Sequence, residues 1–177
     1  AYAEYIKIPE RIVRQNLLIL PEKVGFHEAA LVEPLACVLR AVEETGVVEG
    51  DTVVVIGMGP IGLFAVSICK ALGAKRVIVT EVSDYRIALA EQVGADVILN
   101  PKKEDASCAL TKLAPLGVDA TLEMSGHPSS LELAIDHTRP GGRISMLGVF
   151  HENRQTIDVN RAIFKGLNIQ GIVGRRL

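Results

Sequence analysis

A chain of 177 residues is long enough to bury one sizeable α/β core and too short for two full domains of that kind. Hydrophobic residues make up 49% and charged residues 23%, a globular balance that excludes a long disordered tract. A formal charge of −2 without a basic cluster leaves no electrostatic footprint for nucleic acid or an anionic membrane, and no apolar run is long enough to span a bilayer.

The first fifty residues are the least regular. Residues 2–8 alternate as a strand would, Pro9 breaks the alternation, residues 13–20 read as a second extended stretch, and Pro21 leads into a helical region over 26–44. A strand pair without its sheet cannot bury its apolar face, so residues 1–24 are expected to be the remnant of a second domain and 25–177 the main one. The start, AYAEYIKIPE, lacks the charged and apolar regions of a signal peptide, which sets a cytoplasmic expectation.

From residue 51 onward, short β-branched runs alternate with stretches whose apolar residues recur at spacings of three and four. Strands are predicted over 52–56, 76–80, 96–99, 118–123, 143–149 and 167–173, and helices over 60–72, 84–93, 104–113 and 129–137. The fifth crossover, near 160–165, is predicted as a turn or two of helix. Gly73, Gly94 and the Gly141–Gly142 pair are placed to end helices, and Ser83 or Asp84 to cap the one that follows the second strand. The fold class is therefore α/β, a doubly wound parallel six-stranded sheet.

The segment VVVIGMGPIG, residues 53–62, sets a G-x-G-x-x-G loop after an apolar strand and at the start of a helix. In that context Gly57 allows the tight turn, Gly59 leaves room for a pyrophosphate against the backbone, and Gly62 lets helix and strand pack closely. Pro60 opens the helix without losing a needed donor, and the free amides and dipole of the helix N-terminus face the diphosphate. The second strand ends VIVTE, which puts Glu81 19 residues beyond Gly62, where an acceptor for the adenosine ribose hydroxyls should stand. A carboxylate there favours NAD over NADP, because it repels a 2′-phosphate; Arg86, five residues on, is the residue able to attract one. Taken singly, the glycines also fit a ligand-free turn, and Glu81 an exposed acid. S-adenosylmethionine is the alternative ligand, but its enzymes carry an acid within or just after the first strand, and residues 53–56 contain none.

Cys37, Cys69 and Cys108 are too scattered for a disulfide framework or a metal knuckle, and Cys37 and Cys69 read as core. His127, His137 and His151 lack partners at ligand spacing and read as surface or loop residues, and His27-Glu28 as a helix-surface pair.

Glu33-Pro-Leu, GMGPIG at 57–62, TEVSDYR at 80–86, VGADV at 93–97, LEMSG at 122–126, PGGRISMLG at 140–148 and GIVGRRL at 171–177 span essentially the whole chain. Together they resemble the medium-chain, zinc-containing dehydrogenase/reductase superfamily, and within it the threonine dehydrogenase-like branch. The resemblance implies a Rossmann domain preceded by the end of a GroES-like catalytic domain. It further implies that the backbone of Ile61 meets the diphosphate, Glu81 the ribose and Arg86 the adenosine, with Leu147, Gly148, Val149, Ile172 and Val173 beside the nicotinamide. Glu33 matches an acid that borders the catalytic zinc as ligand or proton relay; read alone, it caps a helix beginning at Pro34. The zinc ligands of such enzymes lie in the catalytic domain, so zinc is implied for a full-length parent and not for this chain, which is expected to be inactive alone. The implied reaction is NAD-dependent oxidation of L-threonine to 2-amino-3-ketobutyrate, with polyol dehydrogenases of the sorbitol or butanediol type and a non-catalytic NAD-sensing module as alternatives. The last strand is implied to pair with its twin in a homodimer, and the parent to form a tetramer.

Overall fold

Strands that alternate with amphipathic crossovers can bury both faces of a sheet only by laying helices on each side, and the computed structural model, which describes residues 3–174, has this architecture. The chain divides into two units, Ala1–Val32 and Glu33–Leu177.

The first unit holds two short helices, α1 (Glu10–Asn16) and α2 (Phe26–Ala29), neither with a buried residue. This corrects the expected extended stretches: no strand forms over the described part of 2–8, and residues 13–16 are helical. Extended backbone needs a partner strand for its hydrogen bonds, whereas a helix satisfies its own. Pro9 takes the N-cap position, at φ −58°, and Glu10 and Arg14 form an ion pair one turn apart.

The boundary falls at the first residue of α3 (Val32–Thr45), which buries Val38, Ala41, Val42 and Thr45 at helical spacing within the second unit. There follow β1 (Thr52–Ile56), α4 (Pro60–Ala71), β2 (Arg76–Thr80), α5 (Asp84–Gln92), β3 (Val97–Leu99), α6 (Ala106–Leu113), β4 (Val118–Glu123), α7 (Pro128–His137), β5 (Thr138–Met146), α8 (Val159–Lys165) and β6 (Asn168–Gly171). All pairings are parallel, in the order β3-β2-β1-β4-β5-β6. The period of two in the strands sends Val53, Val55, Val77 and Val79 toward Val42, Ala65, Val66 and Cys69 of α3 and α4. Val54, Ile56 and Ile78 point the other way, toward Leu110 of α6 and Leu131 and Ile135 of α7. In β4 the alternation slips: Val118 packs on the second face while Ala120 and Leu122 pack on the first, where the register with β5 shifts between Val118 and Ala120. Each such fully buried aliphatic side chain stabilises the fold by about 1.5–3 kcal/mol.

Several boundaries differ from the sequence expectation. β5 begins at Thr138, directly after α7, so Gly141, at φ +69°, turns the chain within the strand instead of ending a helix. β6 stops at Gly171, and α6 starts at Ala106 because Asp105 caps it by accepting from the Cys108 amide at 2.9 Å. Ser83 occupies the N-cap of α5 without a side-chain capping bond. Gly73 and Gly94, both at positive φ, do follow α4 and α5 as expected. Cys69 is core and its burial pushes the thiol up to about 12, whereas Cys37 is only half-buried.

Candidate functional site

The strand order reverses between β1 and β4, because the chain builds β1, β2 and β3 outward and then returns to the other side of β1. Crevices outside the carboxyl ends of strands at such a reversal are where doubly wound sheets take ligands. A cleft of about 460 Å³ opens there. Gly57 and Gly59 line it after β1, Glu81 and Arg86 after β2, and Lys102 after β3; the segment after β4 brings Ser125, His127 and Ser130.

The three glycines of the loop serve three different ends. Gly57 sits at φ +90°, and a Cβ there would fall 2.7 Å from that of Ser125. Gly59 has an ordinary extended conformation, φ −66° and ψ −179°, and a Cβ on it would meet no protein atom within 4 Å. What its missing side chain preserves is therefore open space on the cleft, a place where a ligand can approach the backbone. At Gly62 a Cβ would lie 1.9 Å from the Gly57 carbonyl oxygen, so glycine is needed for α4 to start under the loop. Pro60 occupies the first turn of α4, and no side chain caps that N-terminus, which leaves the first-turn amides, those of Ile61 and Gly62 among them, without intrahelical acceptors.

Glu81 is only 6% exposed, not the surface acid it can be read as in isolation. Its Oε2 accepts from the Met58 amide at 2.8 Å, inside the glycine loop, and its Oε1 accepts from the amides of Val82 and Ser83 at 2.7 and 2.9 Å. Glu81 thus holds the backbone that leads into α5, whose N-cap, Ser83, donates its amide to this carboxylate. Arg86, one turn into α5 and half exposed, reaches to 3.7 Å from Oε2. Burial alone would raise the Glu81 pKa; the Met58, Ser83 and Val82 amides, with the Arg86 guanidinium, outweigh it and hold the carboxyl below its usual range.

The residues predicted for the nicotinamide side stand beyond the carboxyl ends of β5 and β6 but outside the cleft lining. Leu147 and Gly148 follow β5 and donate their amides to the Glu123 carbonyl at 2.9 and 3.0 Å, and Val149 beyond them is exposed. Ile172 is buried, donating to the Met146 carbonyl, while Val173 is exposed and its carbonyl accepts from Arg40 at 2.9 Å. Glu33 lies exposed in the first turn of α3, where its Oε1 accepts from the Cys37 thiol at 3.6 Å; since α3 begins at Val32, Glu33 is not its cap. Arg175, Arg176 and Leu177, which belong to one of the quoted motifs, lie outside the described residues.

Residues 60–176 match the family described as zinc-binding dehydrogenase. The chain belongs to the zinc-binding dehydrogenase family. L-threonine 3-dehydrogenase of Bacillus velezensis is 38% identical over 179 residues, which cover all of this chain and 50% of that protein. Among solved structures, 2R,3R-butanediol dehydrogenase of Bacillus subtilis superposes with a TM-score of 0.82 at 34% identity, covering 89% of this chain and 45% of that one. A zinc-binding dehydrogenase from Sinorhizobium meliloti bound to NADP gives 0.81 at 29% identity, covering 88% and 46%. The chain spans about half the length of the curated relatives it matches. It is the Rossmann domain of a zinc-type medium-chain dehydrogenase.

In this zinc-binding dehydrogenase domain, no group of three or more His, Cys, Asp or Glu among the described residues could hold a metal ion. No helix among them is long and apolar enough to cross a membrane. Periodicity did not single out Lys102, Ser125, Ser129 or Ser130 as cleft residues, since each lies in a loop or first turn that only the tertiary fold brings to the site. His127 had one legible signal, its position just beyond a strand end. It caps α7 by accepting from the Ser129 amide at 3.3 Å.

Proposed function

We propose that this chain is the NAD(H)-binding half of an L-threonine 3-dehydrogenase that oxidises the secondary hydroxyl of L-threonine to 2-amino-3-ketobutyrate. The observation that carries the cofactor reading is the buried Glu81 carboxylate, fixed to the glycine loop through the Met58 amide at the ribose end of the cleft. The open face of Gly59 and the first-turn amides of Ile61 and Gly62 suit a diphosphate, and Gly57 and Pro60 shape that turn. Glu81 is positioned to accept from ribose hydroxyls and to repel a 2′-phosphate, with Arg86 beside the adenosine. Leu147, Gly148, Val149, Ile172 and Val173 are assigned to the nicotinamide side. When bound, NAD supplies the hydride acceptor; this domain's part is to bind and orient it.

Zinc is assigned to residues of a full-length parent outside this chain, with Glu33 as an acid bordering that site, either as ligand or as proton relay. Residues 1–24 are assigned to the end of the parent's GroES-like catalytic domain. β6 is an edge of the sheet, and an unprotected edge invites pairing. We therefore assign it to a homodimer through the same strand of a second copy, within a cytoplasmic tetramer.

The similarity to a butanediol dehydrogenase favours polyol oxidation as the second reading, and a non-catalytic NAD-sensing module is the third. Steady-state assays of a full-length parent with NAD separate them: L-threonine is expected to give a kcat/KM at least about tenfold, or about 1.4 kcal/mol, above sorbitol and 2,3-butanediol. A polyol that outperforms L-threonine would replace the substrate, and turnover of none of the three would favour the sensor.

A further inference from the structure

Glu123 at the end of β4 is fully buried and lies outside the roles assigned above. Its Oε1 accepts from the amide and hydroxyl of Ser125 at 2.8 and 2.6 Å and from the Gly126 amide at 2.9 Å, and it lies 2.8 Å from the Ser130 hydroxyl, whose one proton it shares with the His127 carbonyl at 2.6 Å. Its Oε2, equally buried, has no hydrogen-bond partner among the described residues. Its backbone carbonyl accepts from Leu147 and Gly148. One residue thereby joins the segment after β4, the first turn of α7 and the end of β5. These pieces meet without room for a methyl group: a Cβ on Gly148 would lie 2.4 Å from Glu123 Oε2 and 2.3 Å from the Gly126 amide nitrogen. A Cβ on Gly126 would lie 2.2 Å from the Val149 carbonyl oxygen.

A fully buried carboxylate with an orphan oxygen destabilises a core relative to an apolar side chain of the same size, so packing alone does not account for it. Its position offers a reason. With the diphosphate at the glycine loop and adenosine at Glu81 and Arg86, the second mononucleotide half lies across the switch point, over β4, β5 and β6. We propose that Glu123 is a positioning residue for the nicotinamide half of the cleft, holding Ser125, Gly126, Gly148 and Val149 in the one arrangement that receives it. The proposal rests on the cofactor reading above.

Glu123→Gln tests it. Whichever way the amide turns, its nitrogen either faces the donors at the Oε1 position or leaves two N–H groups without an acceptor at Oε2. NADH and ADP-ribose, which shares the adenosine, diphosphate and second ribose but lacks the nicotinamide, are titrated calorimetrically against the unaltered chain and the variant. NADH affinity is expected to fall at least about tenfold in the variant, and ADP-ribose affinity to stay within about twofold. Ser130→Ala, which removes one donor and leaves the carboxylate in place, guards against a variant that fails to fold; a fall of about threefold confined to NADH is expected. Equal losses for the two ligands, no loss in either variant, or equal affinity of the unaltered chain for both ligands would overturn the proposal while leaving NAD binding intact. Failure of the unaltered chain to bind either ligand would overturn the cofactor reading and this one with it.

Discussion

Gly59→Val is expected to abolish NADH binding while leaving the fold standing, and Gly62→Ala to damage the fold itself. The two glycines sit three residues apart in one loop, but what surrounds them differs. Gly59 has extended backbone dihedrals open to any residue and nothing within 4 Å of a built Cβ, so a valine meets no protein atom there. Its cost to stability is that of a poorer N-cap, about 1 kcal/mol, which lowers the thermal midpoint by about 2–4 °C for a chain of this size. The added carbons would stand in the space where a diphosphate would approach the first-turn amides of α4, and NADH affinity should fall at least about a hundredfold, or about 2.7 kcal/mol. At Gly62 the obstacle is backbone: a Cβ would fall 1.9 Å from the Gly57 carbonyl oxygen and 2.9 Å from its carbon. Neither atom can rotate away, so α4 must shift, at a cost of about 1–3 kcal/mol or more. Thermal melts and NADH titrations of both variants check this pair, and a Gly59→Val protein that binds NADH normally would contradict the placement of the diphosphate.

Glu81→Gln is expected to weaken both the loop and the cofactor discrimination. The carboxylate accepts from the Met58, Val82 and Ser83 amides, and an amide nitrogen in place of either oxygen turns a donor toward at least one of them. A buried N–H left without an acceptor costs about 1–3 kcal/mol. The same change removes the negative charge that a 2′-phosphate would face in the proposed cofactor placement and leaves Arg86 in place, so an NADH preference over NADPH is expected to collapse. The pH dependence has a definite sign. Because the Glu81 pKa is lower folded than unfolded, its stabilisation is fully present above the unfolded value, about 4.3, and is lost as pH falls through the depressed folded value. Urea midpoints of the unaltered chain and the variant should therefore differ most at neutral pH and converge in acid. A gap that widens on acidification would show that the carboxyl is not stabilised as the geometry requires.

The parts of this fold that can be read from the sequence are those in which a local pattern and the tertiary structure demand the same thing. Val53 to Ile56 and Val77 to Val79 are apolar on both faces because both faces are covered, and the glycine loop has its context on either side. Where a segment lacks a partner, the pattern misleads. Residues 13–16 belong to a stretch expected to be extended yet are helical, since no strand among the described residues pairs with them. β5 starts at Thr138, ahead of its apolar run, because pairing with Val118 extends it backward across the register shift. In the site, Glu81 was legible from its distance to the loop. Its hold on the loop through Met58 was not, because a hydrogen bond between residues 23 apart in sequence is set by the pairing of β1 with β2. Glu123 could be quoted as part of a motif, but its hydrogen-bond partners come from a loop and a helix start whose meeting no periodicity encodes. Lys102 comes to the cleft because β3 lies beside β2.

As proposed, the cleft at the β1–β4 reversal is an NAD site selected by Glu81. Titration of the unaltered chain with NADH and NADPH, followed by nicotinamide fluorescence, tests it most directly. NADH is expected to bind at least about tenfold more tightly, or about 1.4 kcal/mol. A preference for NADPH would contradict it, placing Arg86 and Lys102 rather than Glu81 in control of the ribose end.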